Sequence, residues 1–203
     1  MKNVLFLGSK SPFRKKLLEE ALIPIEVVGQ YADETVCDWG LSLPLLEKDI
    51  ALHKMNHTVL PDGKQESDVC FVLTADTMSE DKDGVIHGKP VDKEDAIKKI
   101  KAARDGMRLC TAFCLDKKVW RNGKWELLDR ATEIVSAEYV YYIPDEWIES
   151  YLTNSYAMQC SGAIAVDGMS GLFLKDIQGS YTAMVGLPLF EVHRALEKFG
   201  FFW

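Results

Sequence analysis

The dipeptide Asn122-Gly123, set between Val119-Trp120 and Trp125, constrains this chain more than any other feature. A two-residue hairpin turn that matches strand twist needs positive φ at both central positions, and Asn-Gly supplies it at little steric cost. The chain must therefore contain an antiparallel hairpin. A long strand is legible just beyond it, from Ile134 to Ile143, where Val135, Ala137, Tyr139 and Tyr141 put apolar or aromatic side chains at every second position.

Helical patterns interleave with the strands. Val4 to Leu7 reads as a short buried strand, and Ser11-Pro12 follows at once as N-cap and first helical residue, with Leu17, Leu18, Ala21 and Leu22 as the apolar stripe. A second helix is expected over about Leu45 to Val59, with Leu46, Ile50 and Met55 inward and Lys54 at the edge of that stripe. Cys70 to Leu73 is a further central strand, and Asp83-Gly84 a hairpin turn returning through Val85 and Ile86. Asp92 caps a helix carrying Ala96, Ile97, Ile100 and Ala103. Pro144 opens another with Trp147, Ile148, Tyr151 and Leu152 on one side. The last helix begins at Pro188 and ends before Gly200, with Leu189, Val192, Leu196 and Phe199 inward. This order predicts an α/β fold, a mixed and strongly twisted sheet flanked by helices. With no internal repeat and only one soft stretch, Leu60 to Asp68, residues 1–203 read as a single domain.

A chain of 203 residues with 47% apolar side chains can build a core without disulfides or structural metal. The five cysteines are odd in number and read as buried thiols. A formal charge of −7 argues against binding to nucleic-acid polymers, which attract proteins through a basic field. It leaves room for a small anion held by a few converging cations. The first residues have too short an apolar run for a secretory signal, and no stretch approaches a membrane span. A cytoplasmic location is the expectation.

Chemistry concentrates at a few places. In Gly8-Ser9-Lys10-Ser11-Pro12-Phe13-Arg14, two hydroxyls and a guanidinium sit where a strand gives way to a helix N-terminus. Free backbone N–H groups there favour an anion, and the planar fork of Arg14 suits phosphate oxygens. A capped helix with a surface Arg would read the same way. Asp76 in Thr74-Ala75-Asp76-Thr77 is expected to emerge at a strand end, where open α/β sheets place their sites, with Lys89 of Gly88-Lys89-Pro90 brought back beside it by the hairpin. Glu34 and Lys54 add a carboxylate and a cation. Carboxylates that hold a metal and cations that offset charge are what phosphoryl chemistry requires.

Five motifs, Ser9-x-Ser11-Pro12-x-Arg14, Asp33-Glu34-Thr35, Ala75-Asp76-Thr77, Gly88-Lys89-Pro90 and Gly179-Ser180-Tyr181 with Val185-Gly186-Leu187-Pro188-Leu189, occur in the order and spacing of the Maf-like nucleotide pyrophosphatases. The resemblance runs from about Leu5 to Leu196. It implies two lobes with a cleft, hydrolysis of a nucleoside triphosphate between its α and β phosphates, dependence on Mg²⁺ or Mn²⁺, and a homodimer. It matches Asp76 to the catalytic Asp, and Ser9, Ser11, Arg14, Glu34, Lys54 and Lys89 to the phosphate and metal positions. Glu34 and Asp76 are the expected metal ligands. A non-catalytic nucleotide sensor, or a phosphatase releasing orthophosphate, would share many of these residues.

The chain departs from the resemblance at the base end. Of the three positions that resemble base selectors, Phe13 stands where pyrimidine-directed members have Arg, Asp167 where they have Gln, and only Thr77 agrees. An acceptor-only carboxylate suits the N1 and N2 edge of guanine, and an aromatic ring suits stacking, more so on a cationic 7-methylguanine. Cys160-Ser161-Gly162-Ala163-Ile164 also differs from the usual Ala-Gly followed by an aromatic, and Gly106 to Thr111 lacks the usual His. His53 and His57 have zinc-pair spacing, but Lys54 stands between them where a metalloprotease carries Glu, so they read as a coincidental pair. No Walker or Rossmann glycine loop is present.

Overall fold

The computed structural model describes residues 4–203. The first three residues, part of the segment expected to lack a secretory signal, lie outside the described ones. The chain runs β1 (Leu5–Leu7), α1 (Pro12–Glu20), β2 (Ile25–Val27), β3 (Gly29–Gln30), α2 (Leu43–Asn56), β4 (Thr58–Val59), β5 (Val69–Asp81), β6 (Ile86–His87), α3 (Lys93–Ala102), β7 (Met107–Arg121), β8 (Lys124–Tyr141), α4 (Asp145–Asn154), β9 (Leu174–Gly179), α5 (Tyr181–Val185) and α6 (Leu189–Lys198). Short 3₁₀ turns fill Glu34–Val36 and three stretches between α4 and β9.

The main sheet has the order β2-β1-β5-β7-β8-β9, with β6 on the far end of β5. β2, β1 and β5 are parallel, and β5, β7, β8 and β9 antiparallel, so the sheet is mixed as expected. Asn122 and Gly123 take φ of 50° and 75° and turn β7 into β8, with Trp120 opposite Trp125.

Period-two alternation along β5 decides what each face carries. Phe71, Leu73 and Ala75 point to a core shared with Leu17 and Leu18 of α1 and Val192 and Leu196 of α6. Cys70 and Val72 point the other way, against Ala51 and Met55 of α2. Continuing the alternation puts Asp76 on the α2 face and Thr77 on the α1 face, and the contacts below agree.

Several expectations are corrected. Asp76 does not emerge at a strand end: antiparallel pairing with β7 carries β5 on to Asp81, so Asp76 lies within the strand, opposite Ala112. It does lie beyond the parallel ladder, which stops at Leu7 opposite Leu73. α2 starts earlier and ends earlier than expected, because Pro44 fits its first turn and Val59 belongs to β4. α1 ends at Glu20. Leu22 takes φ of 58° and is 79% exposed, and Ile23 is buried in its place. Trp147 is 45% exposed and leans on Phe173 rather than filling the core.

Candidate active site

A cavity of about 830 Å³ opens beyond the end of the parallel ladder. On one side its wall is the β1–α1 turn, α2 and β5. On the other it is Gly88, Lys89 and the stretch 156–167. All the sequence-predicted site residues line it: Ser9, Ser11, Phe13, Arg14, Glu34, Lys54, Asp76, Thr77, Lys89 and Asp167.

The β1–α1 turn forms the cradle. Ser11 caps α1, its side chain accepting from Arg14 N, and Pro12 occupies the first turn. Ser9 Oγ accepts from Ser11 N and from Arg14 Nη1, both at 3.2 Å. Arg14 is buried, and each of its three nitrogens is tied down: Nε donates to Gly186 O at 2.7 Å, Nη1 to Ser9, and Nη2 to Thr77 Oγ1 at 3.0 Å. Gly186 presents that carbonyl from φ of 123°, a backbone region closed to most side chains. Thr77 Oγ1 also lies 2.9 Å from Thr111 Oγ1, which donates to Ala183 O. The guanidinium has five donors in all, so two remain for a ligand. Burial lowers the Arg14 pKa, opposed chiefly by the charge of Asp76.

Lys54 joins the two carboxylates. Its Nζ lies 2.5 Å from Asp76 Oδ1 and 2.8 Å from Glu34 Oε1. Asp33 caps the short turn that presents Glu34, accepting from Thr35 N and Thr35 Oγ1. Burial alone would push the Asp76 carboxyl up. Lys54 and then Arg14 outweigh it, so its pKa falls and the group is an anion at neutral pH.

Glu47 is the residue that sequence reasoning missed. It lies two helical turns before Lys54 on the same face of α2, fully buried, without a hydrogen bond of normal geometry at either oxygen. Burial and the charge of Asp76 push its pKa well above the usual carboxylate range. The signal was present as a lone acid inside the stripe Leu43, Leu46, Ile50 and Ala51. The unfolded chain ionises Glu47 at about pH 4.3, and in the folded protein burial and Asp76 hold its pKa well above that. Its contribution to stability is therefore complete below that value and is lost as pH rises toward the folded pKa. Glu47→Gln should accordingly melt higher than the parent at pH 8, by about 3 °C. The gap should shrink toward pH 5. A gap that does not change with pH contradicts this.

Elsewhere on the cavity wall, Phe13 meets Tyr156 edge to face at 5.8 Å. It belongs to the cavity wall and not to the hydrophobic core. Asp167 Oδ2 accepts from Lys16 Nζ at 3.1 Å, and Oδ1 from Tyr181 OH at 3.4 Å. Lys89 is exposed, and its backbone carbonyl accepts from Lys99 Nζ at 3.2 Å. The rings of His53 and His57 lie 4.3 Å apart, and His57 Nδ1 sits 2.9 Å from His53 O. Among the described residues no disulfide forms, and four of the five cysteines are buried.

A mixed-sheet α/β protein with an anion cradle, a buried cation pair and an ionised carboxylate on one cavity is equipped for phosphate-ester or anhydride chemistry. The model of the family described as "Maf-like protein" matches residues 4–199, and the chain belongs to that family. A dTTP/UTP pyrophosphatase of Ruminiclostridium cellulolyticum is 31% identical over 199 residues, covering 98% of this chain and 96% of the relative. One from Hydrogenovibrio crunogenus is 30% identical, covering 100% and 99%. One from Dechloromonas aromatica is 31% identical, covering 97% and 98%. No helix among the described residues is long and apolar enough to cross a membrane.

Proposed function

We propose that this protein hydrolyses a nucleoside triphosphate between the α and β phosphates, giving the monophosphate and pyrophosphate, with a divalent cation bound. The observation that carries the reading is an ionised, buried Asp76 paired with Lys54 on the wall that adjoins the Arg14 cradle. Relatives named as dTTP/UTP pyrophosphatases, matched over nearly their whole length, support pyrophosphatase activity on a nucleoside triphosphate.

In this reading each group of the cavity wall has a role. The N-terminus of α1 and the two spare donors of Arg14 take phosphate oxygens, because both are held in place before the ligand arrives. Asp76 accepts a proton from the attacking water, for which an anionic carboxylate is required. Lys54 and Lys89 offset the charge that grows on the leaving pyrophosphate.

Glu34 and Asp76 each engage Lys54 through one oxygen, which leaves each a second hard donor of the kind Mg²⁺ and Mn²⁺ prefer. Among the described residues no cluster of three or more His, Cys, Asp or Glu is arranged to hold a metal alone. A cation held by these two carboxylates would be completed by water and substrate phosphates. Bound there, it would offset phosphate charge and ease deprotonation of water.

Base choice is read from Phe13, Tyr156 and Asp167. Two aromatic rings and a carboxylate favour guanine or 7-methylguanine over uracil and thymine. The test is kcat/KM over UTP, dTTP, CTP, ATP, GTP and 7-methyl-GTP with Mg²⁺ or Mn²⁺ and with chelator. GTP or its 7-methyl form should exceed UTP by about tenfold or more, Asp167→Asn should narrow the gap, and chelation should stop turnover. A preference for UTP and dTTP overturns the base assignment and leaves the reaction standing.

A further inference from the structure

We infer that Ser161 is a positioning residue for Lys89, tying the base-side wall of the cavity to the cation that acts on the phosphates. The inference rests on the pyrophosphatase reading, in which Lys89 meets substrate.

Lys89 follows the two-residue strand β6 and has no ion pair among the described residues to fix its place. Its backbone is nevertheless held from two sides. From the base-side wall, Ser161 Oγ donates to His87 O at 2.5 Å, and Gly162 N donates to Gly88 O at 3.1 Å. From α3, Lys99 Nζ donates to Lys89 O at 3.2 Å while paired with Asp95 at 2.6 Å, and Asp95 Oδ2 accepts from Val91 N. The three carbonyls in a row, of His87, Gly88 and Lys89, are thus all occupied by groups outside the loop.

The clamp has a structural cost that marks it as specified. Gly162 and Ala163 both take positive φ, 64° and 58°, and the second is a conformation that a residue with a Cβ rarely adopts. That turn follows directly on Ser161 and contains the Gly162 amide that bonds the loop. Tyr156, Met158 and Asp167, which flank the turn in sequence, line the same cavity as Lys89. A base held by these residues therefore rests on the element that fixes Lys89.

The claim is that Ser161 acts through Lys89, and a double-mutant cycle tests that directly. Ser161→Ala, Lys89→Met and the double variant are compared with the parent for kcat and KM on GTP, and for melting temperature. Ser161→Ala is expected to lower kcat by about tenfold, a displacement effect on a group used in the transition state, with KM changed less. Lys89→Met is expected to lower it by about a hundredfold. The double variant should match Lys89→Met alone within about twofold, and Ser161→Ala should melt within about 4 °C of the parent. Parental kcat in Ser161→Ala, or a double variant a further tenfold below Lys89→Met, overturns the inference. Should the parent release no pyrophosphate from any triphosphate, the pyrophosphatase reading fails by itself. The same cycle is then read as affinity for the α,β-methylene analogue of GTP by calorimetry. Non-additive losses there uphold the clamp, and additive losses, or none in either single variant, overturn it.

Discussion

Replacing Asp76 by Asn is expected to reduce turnover by about 10³-fold or more while the protein stays folded and still binds nucleotide. Asn keeps the shape and can still accept from Lys54, but it cannot take a proton from water, and it removes the negative charge that offsets two buried cations. Asp76 sits on β5 opposite Ala112 of β7 and with Lys54 at 2.5 Å, so its carboxylate has little freedom to be replaced by a neighbour. Glu47 is the nearest substitute in chemistry, but it is fully buried, and burial and the charge of Asp76 push its pKa well above the usual carboxylate range. Circular dichroism and calorimetric binding of a non-hydrolysable triphosphate separate lost chemistry from lost fold. Parental turnover in Asp76→Asn would remove the residue from its role.

The second large effect is expected from Lys54→Met. The ammonium holds Asp76 and Glu34 together and is the strongest influence keeping Asp76 ionised against burial. Without it, burial gains the upper hand and the Asp76 pKa rises. Turnover at pH 7 should fall by about a hundredfold or more, and the acid limb of kcat/KM should move to higher pH. Stability moves in the same direction. In the parent the depressed Asp76 pKa contributes stability above its unfolded value, near 4 or so, that is lost as pH falls through the folded pKa. The variant forfeits that contribution at neutral pH. An acid limb left in place, with only KM raised, would assign Lys54 to substrate binding alone.

Much of the fold was legible because its signals are local. Asn122-Gly123 fixes a turn by sterics, Ser11-Pro12 fixes a helix start by capping, and alternation from Ile134 onward fixes a strand. What was missed depended on pairing partners distant in sequence. β5 reads as ending near Leu73 because polar Thr74, Asp76 and Thr77 follow, yet β7 pairs with it as far as Asp81, and Thr74 and Asp76 are buried. Leu22 looks like the end of an apolar stripe, and only the turn into β2 shows that the helix has already stopped.

The side of the cavity formed by Arg14, Lys54 and Asp76 was equally legible as a set of residue types, and its assembly was not. Nothing in the spacing says that Arg14 bonds the carbonyl of Gly186, 172 residues away, or that Thr77 braces that guanidinium. Glu47 was hidden for a different reason. A carboxylate in an apolar stripe is ordinarily a misplaced surface charge, and it becomes meaningful only once Lys54, Arg14 and Asp76 are seen around it.

The most direct measurement follows both phosphate products from a single triphosphate. With GTP or 7-methyl-GTP and Mg²⁺, the parent protein should release one pyrophosphate per monophosphate formed, with no orthophosphate before an added inorganic pyrophosphatase acts, and Asp76→Asn should release neither. Orthophosphate with a nucleoside diphosphate as the first products, or tight nucleotide binding without turnover across the triphosphate panel, would contradict the account.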